Sequence, residues 1–581
     1  MLRLCKLLSL KATLLLVLAC SPATEAPQAV APAAEAVNRE GGREAAVAMP
    51  DRYAAEVSEA ILRAGGNAVD AAIAAGFTLA VTYPEAGNIG GGGFMLIHMK
   101  GESTFLDYRE TAPLAADRDM YLDENGDVIP GASLIGHKAV GVPGTVAGFW
   151  AAHQRYGTVP WEDLVSPAAR IAEDGFVVPD SLGGGMKMMI EWFSDKTNFG
   201  EYFGDLESGK VFRQPELAAT LRRIAEQGPA DFYEGETAKL ITAEMERGEG
   251  LITLEDLESY KAVWREPLRA EWRGYEILSA PLPSSGGFAV IQLLKMKDYL
   301  NHEFEELPHN SPQYIHLVAE IEKRVFADRA EYLGDPDYVD TRIDRLVSEE
   351  YMMQRAAEVD ADEISAVVSA GTVAHESPDT THYSIVDQWG NAVAQTYTLN
   401  ISFGSGVVVE GAGFLLNDEM DDFSVKPGVP NTYGVTGNEA NEIQPGKRML
   451  SSMSPTILLQ DNEVAMVAGT PGGTTIFTSV FQTIVNIIDF GMSPAEAVGA
   501  TRFHHQLLPP DLVTYSPGRP LPDSTISALS DRGYRVEPHQ WEFGDMQVIW
   551  RDDDSLVPAS DPRNRGVSSV IPPEGAATGQ P

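Results

Sequence analysis

Thr381 to Asp387 (Thr-His-Tyr-Ser-Ile-Val-Asp) and Ala392 to Asn400 (Ala-Val-Ala-Gln-Thr-Tyr-Thr-Leu-Asn) are two runs rich in β-branched and aromatic residues, joined by a turn containing Gly390-Asn391. Such a pattern predicts a β-hairpin. With a three-residue loop at Trp389 to Asn391, Thr380 lies opposite Asn400, and period-two alternation puts Thr398 on the same face. An ordinary Thr-rich strand pair has the same look. What singles out Thr380 is the chemistry open to it. A threonine hydroxyl is a weak nucleophile, and one way to activate it is to place it at a chain N-terminus, where its own α-amine serves as base. Here that amine exists only if the chain cuts itself between Asp379 and Thr380.

Elsewhere helical and strand patterns alternate, as in a mixed α/β protein. Asp51 to Arg63 has helical spacing and stops at Gly65-Gly66, and Ala68 to Val81 reads as a nearly all-apolar, hence buried, helix ending before Pro84. Ser311-Pro312 open another helix, whose Tyr314, Leu317, Val318, Ile321 and Val325 form a core-facing stripe. Ser493-Pro-Ala-Glu496 is a capping box. Gly472-Gly473 precede an apolar helix from about Thr475 to Phe490. Their N–H groups can approach a developing oxyanion without side-chain obstruction, or they are a plain strand-to-helix turn.

With 581 residues, 44% of them hydrophobic, the chain can bury a large core, and no solenoid-type repeat is visible. The net charge of −41 repels polyanions, which argues against nucleic acid or anionic membrane surfaces as partners. Gly90 to Gly93 is followed by no Gly-Lys-Ser/Thr and has no dinucleotide-type spacing, so close backbone packing near the active site is expected instead of phosphate binding. Asp123-Glu-Asn-Gly-Asp127 opens like a calcium loop, but Val128 stands where Gly is needed and Leu134 where Glu is needed, so it is read as a turn. His504-His505 lacks a zinc-site partner pattern and is expected to be a packed or hydrogen-bonded pair.

The first residues read as a targeting device. Arg3, Lys6 and Lys11 precede the apolar run Ala12 to Ala19, which has the length of a signal h-region and is too short to span a bilayer. Export follows, to the periplasm or beyond. Cys20 after Val17-Leu18-Ala19 resembles a bacterial lipobox, with Leu18 bulkier than usual, and a conventional cut after Ala26 is the alternative. Residues 1–20 are thus expected to be a signal peptide and 21–40 a disordered tether, with a lipid anchor on Cys20. Both cysteines, Cys5 and Cys20, lie in this leader, so the body of the protein folds without a disulfide.

Beyond these local patterns, a set of motifs occurs in a characteristic order. Upstream stand Gly65-Gly-Asn-Ala-Val-Asp-Ala-Ala72, Gly87-Asn-Ile-Gly-Gly-Gly-Gly-Phe94 and Phe105-Leu-Asp-Tyr-Arg-Glu-Thr-Ala-Pro113. After Thr380-Thr-His-Tyr-Ser384 come Leu415-Leu-Asn-Asp-Glu-Met-Asp-Asp-Phe-Ser424, Pro445-Gly-Lys-Arg-Met-Leu-Ser-Ser-Met-Ser-Pro455 and Gly469-Thr-Pro-Gly-Gly473. Together they resemble the gamma-glutamyltranspeptidase, or glutathione hydrolase, family over roughly residues 42 to 565. The resemblance implies an α/β fold of the four-layer αββα N-terminal-nucleophile (Ntn) hydrolase type. It implies a precursor that cuts itself into a large subunit, 41–379, and a small catalytic subunit, 380–581, which remain together as a heterodimer.

It also implies roles for particular residues. Thr380 matches the nucleophile, Thr398 its orienting hydroxyl, and Gly472 and Gly473 the oxyanion pair. Arg109, whose planar fork suits a carboxylate, matches the clamp on the donor's α-carboxylate, helped by Ser451 and Ser452. Asn400, Glu419 and Asp422 match the ligands of its α-ammonium, and Tyr433 the aromatic tip of a lid loop running from Pro430 to Pro445. Neither metal nor cofactor is implied. The substrates implied are glutathione and other gamma-glutamyl compounds, with water, amino acids or dipeptides as acceptors.

Two further readings stand beside this one. A related acylase of the cephalosporin or glutaryl type would share the nucleophile but take donors without an α-ammonium, and Arg109, Glu419, Asp422, Ser451 and Ser452 weigh against it. An inactive lipid-anchored binding protein would have no need of Thr380, Thr398 and Gly472-Gly473.

Overall fold

The hairpin forms, in a register two residues away from the expected one. A computed structural model describes residues 42–365, 380–429, 431, 434, 437, 439–542 and 544–573. In it the strands Thr381–Val386 and Ala392–Thr398 pair with Tyr397 opposite Thr381. Continuing that register places Thr398, not Asn400, across from Thr380. The cause lies in the turn. The Asp387 carboxylate accepts from the N–H of Trp389 (2.9 Å) and of Asn391 (3.0 Å), and Gly390 takes the left-handed φ of 80°. The loop is therefore Gln388 to Gly390, one residue earlier, closed by Asp387 N donating to Asn391 O at 2.9 Å. A shift of two keeps every side chain on its expected face.

That alternation builds the architecture. Tyr383, Ile385, Val393 and Tyr397 point to one side, into a core shared with the helices Arg52–Arg63, Ala68–Thr82 and Trp161–Asp174. Val386, Ala392 and Ala394 point to the other, against Leu278, Ile457, Val467 and Ile549 of a second sheet. Beyond that second sheet, Ile277, Leu458, Met466 and Val548 pack on the helices Gly286–Tyr299, Pro312–Tyr332 and Thr475–Ile488. The order is helices, sheet, sheet, helices.

Among the described residues the first sheet has seven strands, in the order Val567–Ile571, Ala45–Met49, Thr381–Val386, Ala392–Thr398, Gly92–Met99, Glu102–Tyr108 and Val263–Arg265. The second has six, in the order Ser555–Ser560, Gln547–Asp552, Glu463–Gly469, Thr456–Gln460, Tyr275–Ser279 and Leu268–Trp272. Residues on both sides of the Asp379-Thr380 bond thus build both sheets, so a cut there would leave two fragments sharing one core. Burial of that shared apolar surface is what would hold them together.

The expected helices are present. Asp51 caps Arg52–Arg63, an Asn67/Asp70 capping box starts the fully buried Ala68–Thr82, Ser311 caps Pro312–Tyr332, and Ser493 with Glu496 forms its box. The helix after Gly472-Gly473 runs Thr475–Ile488, two residues shorter than expected. Asp123 closes a turn by accepting from Asn125 N and Asp127 N, both at 2.9 Å. His504 contacts Thr478 Oγ1 (3.0 Å) and His505 contacts Leu512 O (2.7 Å), a hydrogen-bonded pair in the core.

The glycine run packs as expected. A Cβ on Gly91 would sit 2.2 Å from the Thr398 carbonyl oxygen, and one on Gly90 2.1 Å from that of Leu415. Asn88 ties the loop to the hairpin, its Nδ2 donating to Thr398 O at 2.8 Å and its Oδ1 accepting from Gly91 N at 2.9 Å. Gly91→Ala is therefore expected to displace Thr398, costing about 1–3 kcal/mol of stability through overpacking. Its self-cleavage should slow in parallel. Thermal unfolding and the time course of cutting check this, and an unchanged rate of cutting in a folded variant would separate the loop from the nucleophile.

Candidate active site

Even-numbered residues of the hairpin face the second sheet, so Thr380 and Thr398 sit at the end of the sandwich, between the two sheets. Thr380 Oγ1 donates to Thr398 Oγ1 at 3.4 Å, and Asn400 N donates to the same oxygen at 2.8 Å. The chain turns sharply after the strand. Asn400 has a left-handed φ of 86°, a conformation asparagine tolerates better than most residues. Its Nδ2 donates to Asp418 O at 3.1 Å. The turn brings Asn400 to the wall of a cavity that Thr380 and Thr398 also line.

The same cavity holds a buried charge cluster. Arg109, one residue past the strand Glu102–Tyr108, is only 1% exposed. Its Nη1 lies 2.5 Å from Glu419 Oε2 and 3.6 Å from Glu110 Oε2, and its Nη2 contacts Asp422 Oδ2. Glu419 and Asp422 are the two ends of one 3-10 turn, Glu419–Asp422. Burial pushes the carboxyls of Glu419, Asp422 and Glu110 up, the Arg109 guanidinium opposing it. Neither oxygen of Glu419 accepts a well-directed hydrogen bond among the described residues, although the side chain is fully buried. Such a group has capacity for a donor-rich ligand.

Ser451 and Ser452 supply the opposite polarity. Ser451 Oγ accepts from Met453 N at 3.1 Å, and Ser452 Oγ accepts from Arg329 Nη2 at 3.3 Å. With an accepting site on each oxygen occupied, each hydroxyl proton is left to donate into the cavity, which suits an acceptor-only group such as a carboxylate.

Gly473 lines the cavity with Thr380, at the start of the helix Thr475–Ile488. Gly472 lies just behind it, its carbonyl accepting from Thr475 N at 2.9 Å. Both take positive φ, 134° at Gly472 and 55° at Gly473, a requirement that glycine meets without strain. His382, close by in the hairpin, is no base candidate. Burial pushes its pKa down to about 3, and its ring nitrogens contact Thr396 Oγ1 and Ser384 Oγ.

The structure thus brings Arg109, Thr380, Thr398, Asn400, Glu419, Asp422, Ser451, Ser452 and Gly473 to one cavity, and Gly472 next to it. Asp379, Tyr433 and Cys20 lie outside the described residues. Sequence reasoning missed Arg329, Asn431, Met453, Thr474 and Ile476, which also line it. For Arg329 a signal existed, because it extends the core stripe four residues past Val325, where a cation is out of place. Among the described residues no cluster of His, Cys, Asp and Glu could hold a metal ion.

Two sheets between helical layers, with a threonine at the head of an inner strand between them, define an Ntn hydrolase. The gamma-glutamyltranspeptidase family model matches residues 54–571. The chain belongs to the gamma-glutamyltranspeptidase family. It is 55% identical to the glutathione hydrolase proenzyme of Pseudomonas aeruginosa over 94% of this chain and 97% of that one. Among solved structures it resembles gamma-glutamyltranspeptidase from Pseudomonas nitroreducens complexed with L-DON, at 56% identity and a TM-score of 0.54, over 55% of this chain and 95% of that one. It also resembles a cephalosporin acylase from Bacillus halodurans, at 27% identity and a TM-score of 0.77, over 94% and 98% of the two chains.

Proposed function

We propose that the protein is a gamma-glutamyltransferase and glutathione hydrolase that matures by cutting itself before Thr380. The observation that carries this reading is one cavity holding the Thr380 hydroxyl together with both halves of a receptor for a zwitterion. Arg109, Ser451 and Ser452 face the α-carboxylate of the donor, and Glu419, Asp422 and Asn400 face its α-ammonium. The Arg109 pairs with Glu419 and Asp422 are already an ion-paired lattice. A zwitterion inserts into it by exchanging partners, leaving no net charge buried, whereas a donor with one charge would leave an ion unpaired.

The chemistry follows in two stages. In the precursor, the Thr380 oxygen attacks the Asp379 carbonyl carbon, and the C–N bond breaks to leave an ester. That break already frees the Thr380 amine, which takes up the hydroxyl proton, and water then hydrolyses the ester to release the Asp379 carboxyl and restore the Thr380 hydroxyl. This amine, with an ordinary pKa of about 8, takes the hydroxyl proton as the oxygen attacks the gamma-carbonyl of the donor. It then gives the proton to the departing amine. The acyl-enzyme is released to water or to an amino acid or dipeptide acceptor. Gly473, with Gly472 behind it, holds the oxyanion at the helix start.

Two lines of support bear on maturation. The Pseudomonas aeruginosa relative is named a proenzyme. The solved Pseudomonas nitroreducens chain spans 55% of this one, about what the fragment 41–379 would. Export and a Cys20 lipid anchor rest on the leader sequence alone; labelled palmitate entering wild type but not Cys20→Ala tests them.

Turnover of gamma-glutamyl-p-nitroanilide, with and without glycylglycine, tests the main reading, and faster turnover of glutaryl-p-nitroanilide would assign the protein to the acylases instead. Within this reading, Arg109→Lys keeps the charge but loses the fork. Losing one charge-assisted hydrogen bond costs about 1.5–3 kcal/mol, so kcat/KM for the gamma-glutamyl donor is expected to fall roughly tenfold or more. Unchanged kinetics would remove Arg109 from the donor site.

A further inference from the structure

The cavity contains a second buried guanidinium. Arg329 projects from the helix Pro312–Tyr332 and lines the cavity alongside Thr380 and Arg109. It is 7% exposed, and no carboxylate lies within ion-pairing distance of it among the described residues. Arg109, by contrast, contacts Glu419, Asp422 and Glu110. A buried charge without a counter-ion is costly to maintain. Burial pulls the Arg329 pKa down to about 10, opposed by the more distant Asp422. The group is therefore still a cation at neutral pH.

Its hydrogen bonds give it direction. Arg329 Nε donates to Ser285 Oγ at 2.9 Å, and Ser285 Oγ in turn donates to Ser451 O at 2.8 Å. Arg329 Nη2 donates to Ser452 Oγ at 3.3 Å. One guanidinium thus holds the backbone of Ser451 through a relay and occupies an accepting site on Ser452. A guanidinium only donates, so it obliges the Ser452 hydroxyl to send its own proton elsewhere, into the cavity. Nη1 of Arg329 donates to no group among the described residues.

We propose that Arg329 is a positioning residue of the donor's α-carboxylate site, which turns the Ser452 hydroxyl toward that carboxylate and supplies the second positive charge it meets. This rests on the reading of the site as one for gamma-glutamyl donors. The donor carboxylate gives Arg329 the anionic neighbour that it lacks among the described residues, and Arg109 shares that carboxylate as the donor ammonium takes over part of the pairing of Glu419 and Asp422. Specificity for an α-carboxylate then has two sources, a fork at Arg109 and a pair of oriented hydroxyls backed by Arg329.

The test compares two donors that differ at one group, gamma-glutamyl-p-nitroanilide and its analogue with an α-carboxamide in place of the α-carboxylate. Wild type should prefer the carboxylate; if it does not, the gamma-glutamyl reading itself fails, whatever Arg329 does. In Arg329→Gln, KM for the carboxylate donor should rise about tenfold with kcat nearly unchanged, the scale of one charge-assisted contact. Its kcat/KM for the carboxamide should move by no more than about twofold, and self-cleavage should proceed normally, since the scissile bond presents no α-carboxylate. Arg329→Lys should recover part of the loss. Equal losses for both donors, or a fall in kcat at constant KM, would overturn the proposal by making Arg329 a structural pillar. Should Arg329→Gln fail to fold, Ser285→Ala, which keeps the charge but removes the Nε acceptor, must still raise KM selectively for the carboxylate donor, and an unselective effect there overturns it equally.

Discussion

Thr380→Ala is expected to accumulate as a single uncut chain and to lose gamma-glutamyl-p-nitroanilide turnover by roughly 10⁴-fold or more, the scale on which removal of a nucleophile acts. The size of the effect follows from the absence of a substitute in the cavity. Among the described residues the hydroxyls of Ser451 and Ser452 are hydrogen-bonded to no base, since the groups that bond to them are a backbone N–H and the Arg329 guanidinium. The His382 imidazole, held neutral with a pKa near 3 and engaged by Thr396 and Ser384, cannot stand in for the missing amine. Thr380→Ser keeps the oxygen and loses the methyl that fixes its rotamer, so slow cutting and reduced turnover are expected from it. N-terminal sequencing of the smaller fragment should return Thr380 in wild type. Efficient cutting of Thr380→Ala, or a different first residue, would sink the assignment of the nucleophile.

Much of this site was legible in the sequence, for physical reasons that differ from residue to residue. Period-two alternation put Thr380 and Thr398 on one face and survived a register error, because an error of two residues leaves the faces unchanged. The error itself arose in the turn. Nothing in the strand pattern announces that the Asp387 carboxylate will gather the N–H groups of Trp389 and Asn391 and move the loop by one residue. Arg109, Glu419 and Asp422 were legible only through the family resemblance. Their convergence depends on a strand end and a 3-10 turn separated by some three hundred residues, which no local pattern reports. Arg329 lay in plain view on a core stripe and was passed over, since a helix is read by its apolar positions and a buried cation looks like a flaw in the period. The glycine run was read correctly as close packing, because its neighbours excluded the phosphate-binding alternative.

Gly473→Ala should lower kcat for gamma-glutamyl donors by roughly 10²–10³-fold, the usual effect of losing an oxyanion donor, while leaving KM within about threefold of wild type. The split is the informative part. The oxyanion exists in the tetrahedral transition state and not in the bound donor, so a group that serves it contributes to kcat and scarcely to ground-state binding. Gly473 lines the cavity beside Thr380 at the positive end of the helix Thr475–Ile488, with φ at 55°. An alanine there takes on about 1–2 kcal/mol of left-handed strain, and the backbone relieves it by rotating the peptide that should face the oxyanion. Gly472→Ala is the control. Gly472 lies outside the cavity lining, its added Cβ would meet Thr475 Oγ1 at 2.5 Å, and its φ is 134°. That variant should lose thermal stability at the helix start and affect catalysis less. Self-cleavage passes through a tetrahedral carbon formed by attack of the same Thr380 oxygen on the Asp379 carbonyl, so Gly473→Ala should also slow the cutting of the precursor. A Gly473→Ala enzyme with wild-type kcat and a raised KM would make this residue a steric wall of the donor site and move the oxyanion site elsewhere in the cavity.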